Sequence, residues 1–163
     1  VARNLHHVLG ARFTRGRDVP IQAVERVAAA IRHNARLLLE GAPHSGVAAL
    51  DTWLADLGRW EREGDWRWTT RFAYQIIERR GTGGGGFRKM YAEFLEEAAL
   101  ADPHIADLGL PVLMAESARC WSELAVVLKD SSESENFPVE QLSEALLLVR
   151  AAERRYCDAA LTY

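Results

Sequence analysis

Hydrophobic residues recur along this chain at intervals of three and four positions, which is the spacing of one buried face of an α-helix. Six segments carry such a stripe, and no stretch shows the sustained alternation of a half-buried strand. The stripes begin at Ile21, Val47, Trp68, Phe87, Trp121 and Val139. The pattern therefore predicts an all-α fold, an irregular bundle of about six helices with a glycine-rich inter-helix loop.

Residues that start helices separate these segments. Asp18 and Pro20 precede the first stripe, Ser45 and Asp65 are candidate N-caps for the next two, and Pro111 and Pro138 suit the first turns of the last two. The fifth segment is apolar nearly all round from 121 to 128, so we expect it at the centre of the fold. The polar run 130–136 is predicted to be a mobile acidic loop.

The chain of 163 residues is long enough for one domain with a sizeable core. We predict a single helical domain over residues 20–163, preceded by a linker or strap over residues 1–19. Residues 1–17 contain four arginines, no acidic residue and no clear helical period. Because the chain begins at Val1 and its last helical pattern runs into Tyr163 without a stop signal, we expect a fragment of a longer protein.

Charge and composition narrow the class of protein. The formal net charge is −3, from 20 basic and 23 acidic side chains, which argues against a general nucleic-acid-binding protein. No apolar run approaches the ~20 residues of a membrane-spanning helix, so no membrane association is expected. Two cysteines do not form a disulfide framework, which favours a reducing, cytoplasmic compartment.

The segment from 81 to 86 contains five glycines in six residues. Arg79 and Arg80 precede it, and Arg88 and Lys89 follow it. Such a run is expected where the backbone is left-handed, where another segment approaches closely, or where amide groups surround an anion. The glycines at 81, 83 and 86 match a dinucleotide fingerprint, but a predicted helix precedes them where that fingerprint needs a strand. A hinge or close helix crossing and an anion or partner contact both stay open.

The charges of the fourth predicted helix favour anion or partner contact. Arg88 and Lys89 lie in its first turn, while Glu96 and Glu97 lie near its end. This order is the reverse of the one that the helix dipole favours, and conflicts of this kind tend to mark functional places. The hypothesis is an anion pocket that is built from glycine amides and the flanking cations.

The other reactive and aromatic residues give weaker signals. Four tryptophans fall between 53 and 68, and we expect them to pack in the core or against another domain rather than to stack on a ligand. Cys120 and Cys157 lie among apolar helical residues, so they are predicted to be ordinary buried cysteines. The five histidines lack metal-ligand spacing, and no metal site is predicted. Glu78, Glu93 and Glu116 are candidates for acid or base groups. We expect by default that they lie on solvated helix faces.

One segment resembles a known family. Residues 78–99, which run from Glu78 through the glycines to Ala99, look like the signature of the C-terminal helical region of butirosin biosynthesis protein H-like proteins, a domain of unknown function. Trp-Ser-Glu-Leu-Ala at 121–125 and Ala-Ile-Arg-His-Asn at 30–34 fit more loosely. The resemblance covers residues 20–163. It implies an acyltransferase of secondary metabolism, which moves an aminoacyl group from the phosphopantetheine thiol of an acyl carrier protein to an amine, as on an aminoglycoside.

The resemblance also implies where the chemistry and the binding lie. The family's N-terminal half, related to papain-like cysteine enzymes, would carry the thiol chemistry; no Cys–His pair here matches it, so the catalytic residues stay unknown. The resemblance maps Gly81, Gly83, Gly84, Gly85, Phe87, Arg88 and Tyr91 onto the family's glycine segment. Together with the charge pattern, it predicts an anion- or carrier-binding site formed by Arg79, Arg80, Gly81, Gly83, Gly84, Gly85, Gly86, Phe87, Arg88, Lys89 and Tyr91.

The expected partners are an acyl carrier protein, a small-molecule amine acceptor and the missing N-terminal domain. The phosphopantetheine belongs to the carrier, and no covalently bound cofactor is expected. One alternative is a non-catalytic helical module that dimerises or docks through its tryptophan-rich face, and a homo-oligomer is compatible with either interpretation. A third hypothesis is an enzyme complete in these residues that uses a glutamate and Tyr91.

Overall fold

The computed structural model describes residues 21–42, 44–62 and 64–163. These ranges contain seven α-helices, one 3-10 turn and no strand. The helices are α1 (Ile21–Glu40), α2 (Gly46–Trp60), α3 (Trp66–Glu78), α4 (Arg88–Ala99), α5 (His104–Asp107), α6 (Leu110–Glu133) and α7 (Val139–Thr162), and the 3-10 turn is Gly85–Phe87. The all-α prediction is confirmed, and the helix beyond the expected six is the four-residue α5.

Most predicted helix starts are found where the sequence placed them. Ser45 and Asp65 are the N-cap residues of α2 and α3, although neither side chain bonds to a helix amide. Pro111 lies in the first turn of α6, and Pro138 directly precedes α7. The predicted start of the first helix at Asp18 lies outside the described residues. Short-range signals are therefore sufficient to locate these helices.

The polar run 130–136 is not the loop that its composition predicts. Helix α6 continues to Glu133, and the Ser131 hydroxyl is buried and donates to the Val127 carbonyl at 2.6 Å. Two arginines of α3 hold the end of α6 and the residues that follow it. The Arg67 guanidinium donates to the Ser134 and Glu135 carbonyls, and Arg71 pairs with Glu133 at 3.1 Å. The prediction failed because these contacts come from a helix that is distant in the sequence.

Buried side chains form two groups, and α6 and α7 contribute to both. The first group includes Leu50, Leu57, Trp66, Leu124, Leu128, Leu142 and Leu146. The second includes Ile31, Leu95, Ile105, Leu110, Met114 and Tyr156. Helix α6 packs against α3, α4, α5, α7 and the 3-10 turn, which confirms its predicted central place. The apolar area that these contacts remove from water supplies most of the folding free energy.

The tryptophans separate into packed and exposed side chains. Trp66 is buried, and Trp53 and Trp60 stack on each other with ring centroids 5.6 Å apart at the edge of the first group. Trp68 is 61% exposed, so core packing does not account for it. The expectation of core packing therefore holds for three of the four and leaves Trp68 to be explained.

Candidate functional site

The glycine segment reverses the chain between α3 and α4 with a left-handed backbone. The φ angles of Gly81, Gly83, Gly84, Gly85 and Gly86 lie between 54° and 91°. Phe87 also has a positive φ, of 72°, and it is the one non-glycine residue of this kind among the described residues. Side chains other than glycine rarely adopt this conformation, so the first of the three expected reasons for the glycines applies.

Close approach is the second reason, and it applies at Gly85. A Cβ atom at this residue would lie 2.8 Å from the Ala118 carbonyl oxygen and 3.1 Å from the Ala118 Cα. The backbone of the segment therefore touches the backbone of α6. A Cβ at Gly81 or Gly83 would meet nothing within 4 Å, so those two glycines are needed for conformation alone.

Two amides of the segment are occupied by groups of the chain itself. The Gly85 N–H donates to Oε1 of Glu78 at 3.0 Å, and the same oxygen accepts from the Ser122 hydroxyl at 2.5 Å. The Gly84 N–H donates to the Thr82 hydroxyl at 3.3 Å, which in turn donates to the Ile77 carbonyl. The anion beside these amides is therefore an internal carboxylate.

Arg88, which is half-buried, forms an ion pair with the buried Glu153 of α7. Its Nε lies 2.9 Å from Oε1 and its Nη2 lies 3.2 Å from Oε2, while Nη1 donates to the Gly86 carbonyl at 2.7 Å. Its guanidinium also lies 5.1 Å from the centroid of the Trp121 ring. The position of Arg88 at the first turn of α4, which conflicts with the helix dipole, is thus explained by a structural partner.

Glu153 is 1% exposed and accepts two further hydrogen bonds from α6. The Ser117 hydroxyl lies 2.5 Å from its Oε1, and the Trp121 indole N–H lies 2.9 Å from the same atom. Burial alone raises the pKa of a carboxyl, but the Arg88 charge and the accepted hydrogen bonds outweigh burial and hold the pKa of Glu153 below its ordinary value. The carboxylate is therefore ionised and fully satisfied.

The structure divides the eleven candidate residues into an inward and an outward group. The inward group consists of Gly84, Gly85, Gly86, Arg88 and Tyr91. Gly84, Gly85 and Arg88 form the bonds described above, and the half-buried Tyr91 accepts a hydrogen bond from the Tyr156 hydroxyl at 3.1 Å. The outward group is exposed and consists of Arg79, Arg80, Gly81, Gly83, Phe87 and Lys89. The Gly84 amide, the Gly85 amide and Arg88 are bound to Thr82, Glu78 and Glu153 in this structure, so they are not open groups. The anion- or carrier-binding site as a whole stays a prediction.

The exposed arginines are satisfied by neutral groups. Arg79 Nε donates to the Tyr74 hydroxyl at 3.1 Å, and Arg80 Nη2 donates to the Gln75 amide oxygen at 2.9 Å. Arg80 also lies 5.1 Å from the Phe72 ring centroid. Because no carboxylate neutralises these two guanidinium groups among the described residues, their charge is available to a partner.

The residues that hold Arg88 were not predicted from the sequence. Glu153 follows the inward-facing Val149 at a spacing of four, so it lies on the buried stripe of α7. An acidic residue on an otherwise apolar stripe is a signal of a buried partner. That signal does not say which cation pairs with it, because Arg88 lies 65 positions away.

Both cysteines are buried, as predicted. Burial raises the pKa of the Cys120 thiol. Burial first and the negative charges of Glu153 and Asp158 next raise the pKa of the Cys157 thiol to about 12. A nucleophilic cysteine needs the opposite, a lowered pKa in an open setting. The described residues also contain no group of side chains that is arranged to hold a metal ion.

We expect both thiols to react with Ellman's reagent only when the fold opens. In the native chain the reaction should be at least ~100-fold slower than in concentrated guanidinium chloride, because access requires unfolding of α6 or α7. The denatured chain should release two equivalents. Glu144→Cys, at an exposed position of α7, is the control and should react at once. Rapid native reaction of the wild-type thiols would contradict the assignment.

These features define an all-α domain with an internally braced glycine segment, an exposed basic edge beside it and cysteines that are unsuited to nucleophilic chemistry. The chain belongs to the family described as a domain of unknown function, DUF4872, whose profile matches residues 10–160. None of the curated proteins and none of the solved structures matches the chain. None of the described helices is long and apolar enough to cross a membrane.

Proposed function

We propose that this chain is the helical C-terminal domain of an acyl-carrier-protein-dependent N-acyltransferase of secondary metabolism, and that it binds the carrier or the substrate. The resemblance of residues 78–99 to butirosin biosynthesis protein H-like proteins suggests the activity. A papain-like half elsewhere in the protein would supply the catalytic Cys–His pair and an amine would be the acceptor, as expected for a cytoplasmic enzyme.

One observation carries the binding role: the cations beside the exposed part of the glycine segment form no ion pair with a carboxylate of residues 21–42, 44–62 or 64–163. Arg79 and Arg80 precede it and Lys89 follows it, and all three are exposed. Arginine presents paired N–H donors to phosphate or carboxylate oxygens, and lysine adds a mobile point charge. Such an edge suits the phosphate of a phosphopantetheine arm or an acidic carrier surface.

The internal contacts of the segment change how this recognition would work. The amides of Gly84 and Gly85 are taken by Thr82 and Glu78, so side chains rather than these amides would contact the anion. Arg88 is excluded from the proposed contact because it is bound to Glu153. The proposal therefore rests on the outward group, with the inward group as its support.

We expect the double variant Arg80→Glu, Lys89→Glu to bind a fluorescently labelled holo-acyl carrier protein at least tenfold more weakly than the wild type, a loss of about 1.4 kcal/mol. The variant places two anions where two cations would face an acidic partner, and the loss of affinity should become smaller as salt is added. Fluorescence anisotropy titration measures the affinity and its dependence on salt. Repeating the titration with the apo-carrier shows whether the phosphopantetheine phosphate contributes.

The control is Arg59→Glu, Arg62→Glu, which makes the same change of charge at exposed positions at the end of α2. It should leave the affinity within about twofold of the wild type. Equal affinities of the two double variants would contradict the proposed site, and absence of binding by the wild type would contradict the proposed function.

A further inference from the structure

Helix α3 carries an exposed apolar stripe that the carrier-binding proposal does not use. Trp68, Phe72 and Ile76 are 61%, 37% and 43% exposed, and their spacing of four places them on one face. The rings of Trp68 and Phe72 stack in parallel with centroids 5.1 Å apart. The opposite face of α3, with Trp66 and Ile77, is buried. The stripe is therefore a second apolar face of the same helix, open to solvent.

Opposite charges lie at the two ends of this stripe. Asp65 precedes Trp68 by three positions, is exposed and makes no capping hydrogen bond. Arg79 follows Ile76 by three positions, and its Nε donates to the neutral Tyr74 hydroxyl. At 100° per residue, Trp68 and Ile76 fall within about 40° of the direction of Phe72, and Asp65 and Arg79 are the cap residues that flank the helix. The stripe thus has an exposed carboxylate beyond one end and an exposed guanidinium, bonded here to Tyr74, beyond the other.

The spacing of these five residues is palindromic. The intervals from Asp65 to Arg79 are three, four, four and three residues, with Phe72 at the centre. In a twofold pair of antiparallel helices each residue meets the one at the same distance on the other side of the centre. Phe72 would meet its own copy, Trp68 would meet Ile76, and Asp65 would meet Arg79.

We propose that this face is a dimer interface and that its occupant is a second copy of the chain, with the two α3 helices antiparallel. The register places apolar side chains on apolar side chains and an acid on a base at both ends. Arg67 and Arg71 do not oppose each other in it. Arg67 is bound to the segment that follows α6, and Arg71 is bound to Glu133 at the end of α6. The basic segment 1–17 offers no acid for Arg79, which disfavours it as the occupant.

The proposed dimer interface and the proposed carrier contact share Arg79, and Arg80 lies 5.1 Å from the Phe72 ring centroid. Neither Arg80 nor Lys89, the two residues tested for carrier binding, is paired with a charged residue in this register, so different variants test the two proposals. One helical face buries less than the ~1,200 Å² of a standard interface, so the dimer should form at micromolar to millimolar chain concentration. It is therefore expected to be weak and reversible.

Sedimentation equilibrium of the whole chain up to ~1 mM tests the proposal. The wild type should show a monomer–dimer equilibrium, and Trp68→Ser, Ile76→Ser should raise the dissociation constant at least tenfold. Leu147→Ser, Leu148→Ser removes two exposed leucines from α7 and should leave it unchanged. A wild type that stays monomeric over this range, or a dimer that the α3 variant does not weaken, overturns the proposal.

A charge swap tests the antiparallel register. Asp65→Arg and Arg79→Asp should each weaken the dimer, because each places like charges opposite one another at both ends. The double variant restores two opposite-charge pairs and should recover most of the lost affinity. Circular dichroism shows that each variant is folded. If both single variants weaken the dimer and the double variant does not recover, this register is wrong and the proposal is overturned.

Discussion

Glu153→Gln is expected to lower the free energy of unfolding by about 2 to 4 kcal/mol, somewhat less than the cost of removing one partner of a fully buried ion pair, because Arg88 is only half-buried. The variant leaves the Arg88 guanidinium without its counter-charge, and it also weakens the bonds from Ser117 and Trp121. Urea denaturation followed by circular dichroism measures the loss. The amide of glutamine is close in size to the carboxyl of glutamate, so a cavity does not account for the loss of stability.

Glu116→Gln is the matched control for this variant. Glu116 pairs with Arg155 at 2.7 Å, but the two side chains are 37% and 50% exposed, so water screens this pair. Removing an exposed pair of this kind should cost less than about 1 kcal/mol. If both variants lose the same stability, the pair of Arg88 and Glu153 is not a major contribution to the fold. Replacing Arg88 and Glu153 together by leucine should recover part of the loss, because no charge is then left alone in the core.

Low pH is expected to destabilise the fold in part by protonating Glu153. The pKa of Glu153 in the folded chain is below the ~4.3 of an unfolded glutamate, so the unfolded state binds its proton first as the pH falls. The stability that the ionised Glu153 contributes is therefore complete at pH values above the pKa of the unfolded chain. It is lost as the pH falls through the lower pKa of the folded chain. The wild type should lose more stability than Glu153→Gln between neutral and strongly acidic pH. Parallel curves for the two proteins would contradict this origin.

Gly85→Ala is expected to lower the free energy of unfolding by about 3 kcal/mol. A φ of +56° costs an L-residue about 1 to 2 kcal/mol, and overpacking a close contact adds a further 1 to 3 kcal/mol. The added Cβ would lie 2.8 Å from the Ala118 carbonyl oxygen, and backbone cannot move aside as a flexible side chain can. The same denaturation experiment measures this change.

Gly83→Ala separates the two contributions. Gly83 has a similar φ of 72°, but a Cβ there meets nothing within 4 Å. The conformational cost alone, about 1 to 2 kcal/mol, should remain. A Gly85→Ala variant that is no less stable than Gly83→Ala would show that the approach of the segment to α6 does not constrain the fold.

These predictions share a structural origin, because two carboxylates, the half-buried Glu78 and the buried Glu153, join the glycine segment to α6. Glu78 of α3 binds the Gly85 amide and the Ser122 hydroxyl. Glu153 of α7 binds Arg88 at the start of α4 and accepts from Trp121 of α6. The turn between α3 and α4 is thus fixed on both sides. A fixed turn presents the exposed Arg80 and Lys89 in a defined arrangement, which the proposed carrier contact requires.

Much of the fold could be predicted from local patterns. The periodic stripes, the caps at Ser45 and Asp65 and the prolines at 111 and 138 located the helices, because each signal acts within one or two turns of chain. The same rules failed for 130–136, where a polar composition favoured a loop. There the buried Ser131 and the contacts from Arg67 and Arg71 extend α6.

The candidate site was predictable only in part. The sequence singled out the glycines and their four flanking cations, and the structure confirms a left-handed backbone at that place. The choice between a ligand anion and an internal one could not be made locally. Glu78, seven positions from Gly85, was within reach of a sequence argument, whereas Ser122 is 44 positions from Glu78.

By itself the sequence determined that this protein is helical, where most of its helices begin and that its cysteines are buried. It also determined that the segment 81–86 needs its glycines. These properties follow from periodicity and backbone sterics within short segments. Tertiary structure alone decided that Arg88 faces Glu153, that Gly85 rests on Ala118 and that the Trp68 stripe is left exposed. Each of these outcomes depends on which helix faces lie against each other. Helix packing brings together residues that are far apart in the chain, and no local pattern encodes those pairs.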